Sequence, residues 1–158
     1  GGPMIGVLEV NLTVQDLNHW CSMNLARLFA DRALRHYGVA HYLFHPGHIR
    51  TGEVRGGLRE IVGYVQDLGM EWWTAARIDA WERARRTVRF QQRGEGVYRL
   101  SAGASLRGAT LLVLDPDGGT SVSVPDGPQD EQVERYGFCF QMVPVDLDAG
   151  AELELSVQ

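Results

Sequence analysis

The spacing of apolar residues changes near residue 86, and this change constrains the fold of the 158-residue chain more than any other feature. Before it, segments with helical spacing alternate with short segments of strand spacing. After it, apolar and polar residues alternate in short runs that are separated by turns rich in Pro, Gly and Asp. The pattern predicts two units, residues 4–86 and 87–158, after a short tag remnant at 1–3.

The first unit is predicted to alternate between strands and helices. Its predicted strands cover 4–14, 39–44 and 70–73, and its predicted helices follow the caps Ser22, Thr51 and Thr74. Such alternation is typical of a parallel sheet with right-handed crossovers. Three strands are too few for a complete parallel domain, so we expect this unit to be part of a larger α/β structure.

The second unit is predicted to be an antiparallel β-sandwich. Six or seven short strands of period two follow residue 86, at the spacing that such folds use. Residues 125–135 are acidic and rich in Pro and Gly, which favours a solvated loop. Cys21 and Cys139 could form one bridge or remain two buried free thiols, since two cysteines do not define a disulfide framework.

Charge and composition exclude several classes of protein. The net charge is −5, whereas a nucleic-acid-binding protein needs a basic surface. All fifteen basic residues are arginines, so neither a lysine Schiff base nor a lysine-dependent phosphate loop is possible. No apolar run approaches the roughly 18 residues that cross a bilayer, so we expect no membrane span. The composition is that of a soluble protein of bacterial type, cytoplasmic or exported.

Three histidines form the cluster with the most chemical promise, His41-x-x-x-His45-x-x-His48. Ligand sites of α/β folds lie at the carboxyl ends of parallel strands, where a histidine can transfer protons near neutral pH. His41 and His45 lie roughly 13 Å apart at strand rise, too far for one metal ion. His45 and His48 could converge if the Pro46-Gly47 turn is tight. The spacing equally fits a structural His45 that is bonded to backbone and a buried, satisfied His41.

Two further residues follow the first predicted strand. Asp16 could orient an imidazole or bind a hydroxyl group, and Trp20 could stack on a sugar ring. The alternatives are that Asp16 caps the turn and that Trp20 packs against the protein.

One motif ends the second predicted strand, and another lies beyond the helix that follows it. Leu43-Phe44-His45 is followed by Pro46, and the segment GMEWWTAARIDAW lies further on, at residues 69–81. In this order they resemble the C-terminal part of a polysaccharide deacetylase catalytic domain, in which a late barrel strand ends in Leu-x-His. The resemblance covers about residues 8–86. The fold it implies is a partial (β/α) barrel segment, β-α-β-α-β-α, which the antiparallel sandwich would then follow.

The resemblance implies metal-dependent hydrolysis of acetyl groups on a carbohydrate. The histidine of Leu-x-His protonates the leaving group in that family, which makes His45 the candidate catalytic residue. We expect Asp16, Trp20, Leu43 and His48 to bind the carbohydrate substrate.

The metal motifs of that family, Thr-Phe-Asp-Asp and His-Ser/Thr-x-x-His, are not in this sequence. No metal ligand or cofactor is therefore assigned to this chain, although the complete family domain implies zinc or another divalent metal. We expect a C-terminal fragment or subunit that is inactive until a missing N-terminal half or partner chain completes it. The alternative is a non-catalytic carbohydrate-binding or protein-interaction module. Unpaired apolar strands predict a homo-oligomer, with pairing through 4–14.

Overall fold

The computed structural model describes residues 8–124 and 131–158. Contacts divide the chain into two compact units, Gly1–Ala75 and Ala76–Gln158. The expected tag remnant and the first residues of the strand predicted for 4–14 lie outside the described residues.

The first unit contains two short strands and two α-helices. Its elements are β1 (Val14–Gln15), α1 (Met23–Arg35), β2 (Tyr42–Leu43), a 3-10 helix (His48–Arg50) and α2 (Gly52–Asp67). The two strands pair in parallel, with Val14 opposite Tyr42 and Gln15 opposite Leu43. Among the described residues, no other strand joins this sheet.

Helix α1 packs against α2 through small side chains. Ala26 and Ala30 are fully buried, and Ile61 and Val65 of α2 belong to the same apolar cluster. The predicted cap at Ser22 is confirmed, since its Oγ accepts a hydrogen bond from the backbone N–H of Leu25.

The predicted cap at Thr51 is not formed. The Thr51 hydroxyl instead donates a hydrogen bond to the carbonyl oxygen of His48, at 2.8 Å, and α2 begins without a side-chain cap.

The second unit contains one helix and two antiparallel sheets. Its elements are α3 (Ala75–Arg86), β3 (Arg89–Gly94), β4 (Val97–Ser101), β5 (Leu106–Leu114), β6 (Val122–Ser123), β7 (Glu131–Arg135), β8 (Phe138–Leu147) and β9 (Glu152–Val157). One sheet has the order β3-β4-β9-β6 and the other β5-β8-β7.

One apolar cluster holds the second unit together. It takes Leu100 and Val122 from one sheet and Leu106 and Val143 from the other. Trp81 of α3 packs against the same cluster. The unit therefore begins with α3 and not at residue 87, where the change of period placed the boundary.

The buried carboxylate of Asp115 connects three segments of this unit by hydrogen bonds. Its oxygens accept hydrogen bonds from the Thr120 backbone N–H and from the side-chain amides of Gln132 and Gln141. The Thr120 hydrogen bond, opposed by burial and supported by the Gln141 and Gln132 amides, lowers the pKa of Asp115 to about 2.

The predicted (β/α) barrel segment is wrong. The described chain contains only small sheets and three helices and closes no barrel, and its parallel sheet has two short strands. Residues 70–73, predicted as the third strand, form no strand; Trp73 Nε1 instead donates to the Glu71 side chain, and Trp72 is exposed. Residues 8–13 also lie outside any strand. A segment with strand spacing forms a strand only if a neighbouring strand pairs with it, and apolar spacing does not show whether such a neighbour exists.

Two other expectations also need correction. Residues 131–135, predicted to be loop, form β7, while 125–130 lie outside the described residues. Both cysteines are free thiols, as one of the two alternatives predicted, but neither is buried as expected, since Cys21 is half-buried and Cys139 is exposed. Within the described part of the chain, no helix has the length and apolar character to cross a membrane.

Candidate active site

The parallel pairing of β1 and β2 brings two distant residues to one edge of the small sheet. Asp16 directly follows β1, and its backbone N–H donates to the carbonyl oxygen of Leu43 at 2.9 Å. His45 lies two residues beyond Leu43, the last residue of β2. Because parallel strands in register end at the same edge, Asp16 and His45 meet although they lie far apart in sequence.

A tight turn then brings a second histidine to the same place. The backbone N–H groups of His48 and Ile49 donate to the carbonyl oxygen of His45, at 2.9 and 3.1 Å. The Pro46-Gly47 turn therefore folds the chain back, and the rings of His45 and His48 lie 5.1 Å apart between centroids.

The Asp16 carboxylate is the hydrogen-bonding partner of both imidazoles. Its Oδ2 lies 2.6 Å from Nδ1 of His45 and 2.6 Å from Nδ1 of His48. Its Oδ1 accepts the backbone N–H of His45 at 2.8 Å. The Asp16 side chain is only 5% exposed, whereas the side chains of His45 and His48 are 45% and 61% exposed. A buried carboxylate thus holds two accessible imidazoles.

The protonation of Asp16 determines the roles of the ring nitrogens. Burial raises the pKa of Asp16, but the His45 backbone N–H and the two imidazoles outweigh burial and lower it to about 2. At neutral pH Asp16 is therefore an acceptor only, and the hydrogen at each Nδ1 must come from the imidazole. Nε2 is then the nitrogen of each ring that remains to give or take a proton.

The backbone of Asp16 is held in an uncommon conformation. Its φ is 37°, in the left-handed region that residues other than glycine rarely adopt. Such strain persists only where surrounding contacts maintain it, and it is concentrated at functional sites. Here the contacts come from Leu43 and His45, which bond its backbone and side chain.

The remaining expected site residues lie on nearby segments of the chain. Leu43 contributes its backbone carbonyl to Asp16, and its side chain is 37% exposed. Trp20 is 86% exposed in a turn where its backbone N–H donates to Asn18 Oδ1 at 2.8 Å. The ring of His19 lies 4.8 Å from that of Trp20. The alternative in which Trp20 packs into the protein is therefore wrong.

His41 does not join the cluster. Its backbone N–H donates to the Thr13 hydroxyl and its carbonyl oxygen accepts the Thr13 N–H. Its Nδ1 is buried and has no hydrogen-bond partner among the described residues. The interpretation of His41 as a satisfied buried histidine is therefore wrong for this nitrogen.

The cluster also has the donor set of a metal site. Asp16, His45 and His48 each offer one ligand atom, and these atoms lie within 4.8 Å of one another. Zinc favours such nitrogen and oxygen ligands. Asp16 Oδ2 is hydrogen-bonded to Nδ1 of both rings, and Nε2 of each ring lies outside these two hydrogen bonds.

The sequence predicts that Asp16 could orient an imidazole and that His45 and His48 could converge through a tight Pro46-Gly47 turn, and the structure confirms both. The sequence does not predict that one oxygen of Asp16 bonds both rings. No local signal indicates this, because it depends on the register of β1 with β2.

No known protein family, curated protein or solved structure matches this chain. The resemblance to polysaccharide deacetylases therefore rests on the sequence motifs, and the chemistry of the site rests on the geometry of Asp16, His45 and His48.

Proposed function

We propose that the first unit supplies the general acid of a hydrolase that removes acetyl groups from a carbohydrate. The chain would be a C-terminal fragment or subunit of a metal-dependent polysaccharide deacetylase-like protein. The observation that carries the proposal is the hydrogen bond of 2.6 Å between Asp16 Oδ2 and Nδ1 of the accessible His45. The proposal concerns this site and does not require a barrel.

His45 is the proposed catalytic residue. When an acetyl group is hydrolysed, the sugar nitrogen or oxygen that leaves must be protonated. A positioned imidazolium can donate this proton from Nε2. Asp16 is a positioning residue, because its carboxylate fixes the ring through Nδ1 and stabilises the positive charge that the ring carries before donation. The departing group of the sugar receives the proton, and the neutral imidazole remains bound to Asp16.

The rest of the reaction depends on residues outside this sequence. A divalent metal such as zinc, when bound to the complete protein, would activate the attacking water. Its ligands would come from an N-terminal half or a partner chain, as the missing motifs imply. Trp20, Leu43 and His48 remain the proposed substrate-binding residues, and Trp20 and His48 are the most exposed of them. Asp16 acts on the substrate only through His45, because its buried carboxylate is bonded to both imidazoles.

Acetate release tests this proposal. The chain would be assayed with zinc on N-acetylated chitin oligomers and acetylated xylan, both alone and co-expressed with the coding sequence immediately upstream. In the complemented protein, His45→Gln should lower the rate about 100-fold or more. His36→Gln is the matched control, because His36 lies at the C-terminal end of α1, outside the cluster of Asp16, His45 and His48. A His45→Gln variant as active as the His36→Gln control would refute the general-acid role.

Metal binding by the cluster itself would also refute the proposal. Titration of the chain with Zn²⁺ should give no stoichiometric binding that depends on Asp16. Tight binding that Asp16→Asn abolishes would make the cluster a metal centre and not an acid.

A second candidate function is a non-catalytic carbohydrate-binding module, and the exposure of Trp20 favours it. An indole that is 86% exposed offers a flat apolar face on which a sugar ring can stack. Under this alternative the chain binds chitin or xylan oligomers, Trp20→Ala abolishes binding, and no acetate is released by the complemented protein. Trp72→Ala is the control, since Trp72 is 57% exposed on another segment of the same unit.

A further inference from the structure

The second unit contains a half-open pocket of about 390 Å³, lined by α3 and by strands of both sheets. Its walls include Leu100, Leu106 and Leu147, each almost completely buried. The size falls within the range of about 300 to 1,000 Å³ that is usual for small-molecule sites. Nine of the twelve lining residues are apolar, so a ligand with an apolar body suits this pocket.

Two arginines of α3 give the cavity a positive opening. Arg85 and Arg86 line it, and their side chains are 53% and 55% exposed. Both pair with a single carboxylate, that of Glu82, at 2.8 Å. The Arg85 hydrogen bond, opposed by burial and joined by Arg86, lowers the pKa of Glu82 to about 2, so that it carries one negative charge.

Two guanidinium groups and one carboxylate leave one positive charge at the opening. A third guanidinium, that of Arg89, lies at the C-terminal end of α3, where it donates to the carbonyl oxygens of Arg86 and Val88 at 3.2 Å. This positive group is unusual for the second unit, because residues 76–158 contain nine arginines and thirteen acidic residues. The charge at the opening therefore favours one kind of ligand, which has an anionic group next to an apolar body.

We propose that the second unit binds a single-chain carboxylate, with its alkyl chain in the cavity and its carboxylate at Arg85 and Arg86. The alkyl chain covers apolar lining that otherwise faces water, and the carboxylate stays at the exposed opening, where it need not be desolvated. A cavity of about 150 Å³ holds one benzene ring, so a chain of about ten carbon atoms is of the right order for this pocket. The site is independent of the function proposed for the first unit.

Titration of the intact chain with decanoate tests the proposal. The control is decyltrimethylammonium, which has the same tail and the opposite charge. Decanoate should raise the Tm and shift the methyl NMR signals of Val145 and Leu147, which line the cavity. The cation should bind at least about fivefold more weakly.

Variants separate the charge from the cavity. Arg85→Gln removes the surplus positive charge and should weaken decanoate binding about fivefold. Arg83→Gln is the matched control, because Arg83 lies on the same helix, pairs with Asp79 and does not line the cavity. Ala109→Leu fills the cavity and should abolish binding, and Leu111→Trp serves the same purpose if that variant does not fold.

Three results would overturn the proposal. The first is no decanoate binding at millimolar concentration, and the second is equal affinity for the anion and the cation. The third is binding by a folded Ala109→Leu or Leu111→Trp variant that is as tight as in the unaltered chain.

Discussion

At the scale of single residues, the central feature is one buried carboxylate that serves two accessible imidazoles. Asp16 accepts hydrogen bonds from His45 and His48 through the same oxygen, and its other oxygen holds the His45 backbone. This arrangement fixes Nδ1 as the protonated nitrogen of each ring and leaves Nε2 for chemistry. In this arrangement the backbone of Asp16 adopts a strained left-handed conformation.

The pKa of Asp16 predicts a loss of stability in acid. In the folded chain it is about 2, below its ordinary value of 3.8, so between these values the folded state binds fewer protons than the unfolded state. The contribution of Asp16 is therefore fully present above about pH 4 and is lost as the pH falls towards 2.

Urea unfolding of the first unit as a function of pH measures this contribution. The difference in free energy of unfolding between the unaltered chain and Asp16→Asn should shrink as the pH falls from about 4 to about 2. Asp115 lies in the second unit, and its pKa is also about 2. Asp115→Asn is therefore the control, because it should leave the pH dependence of unfolding of the first unit unchanged. A difference that stays constant across the window would contradict the assignment.

The residues of the site could be predicted from the sequence, but their joint geometry could not. His45 ends the motif Leu43-Phe44-His45 after one predicted strand, and Asp16 follows another predicted strand, so the sequence makes each a candidate site residue. One oxygen of Asp16 bonds both rings, and this geometry depends on the register of β1 with β2 and on the turn after His45. The Pro46-Gly47 pair indicates the turn, but no local pattern sets the register, because register depends on contacts between distant segments.

At the scale of elements, α1 shows why spacing alone does not identify a buried face. Leu25, Leu28 and Phe29 lie at the helical spacing of an apolar stripe, yet they are 42%, 48% and 37% exposed. The buried face consists of Ala26 and Ala30 instead. Small side chains allow α1 and α2 to approach closely, and the leucines are left outside.

Helix α2 also lies close to the segment that follows β1, and the contact is made at Gly57. A Cβ at Gly57 would lie 2.7 Å from Leu17 Cβ and 3.0 Å from the Leu17 carbonyl oxygen, directly beside Asp16 in sequence. Gly57→Ala should therefore destabilise the first unit by about 1 to 2 kcal/mol, as overpacking outweighs the gain in helix propensity.

Gly56→Ala is the matched control for this helix. A Cβ at Gly56 meets nothing within 4 Å, so the variant should stabilise the chain by about 0.5 to 1 kcal/mol. Urea unfolding measures both changes. A Gly57→Ala variant as stable as Gly56→Ala would show that α2 does not pack against Leu17 as described.

At the scale of the whole molecule, the chain consists of two units that divide before α3. The change of apolar period marked the start of the β-rich part but placed α3 with the first unit. The β/α barrel prediction failed for a related reason, since alternating spacing indicates elements but not whether enough strands exist to form a sheet. The homo-oligomer and the missing half remain predictions.

The position of the division is testable with two fragments. The fragment 76–158 should fold cooperatively, because it retains Trp81 and Ala84, which pack against the apolar cluster of the sheets. The fragment 87–158 loses this cover and should unfold at a Tm lower by several degrees or more. Equal thermal stability of the two fragments, followed by circular dichroism, would place α3 outside the second unit.

Nitrogen NMR of the His45 and His48 rings tests the central claim most directly. In the intact chain, the neutral form of both rings should be protonated at Nδ1, and Asp16→Asn should change the signals of both rings while leaving His19 unchanged. Protonation at Nε2 in either ring, or signals that do not respond to Asp16→Asn, would contradict the shared carboxylate on which the proposed proton transfer depends.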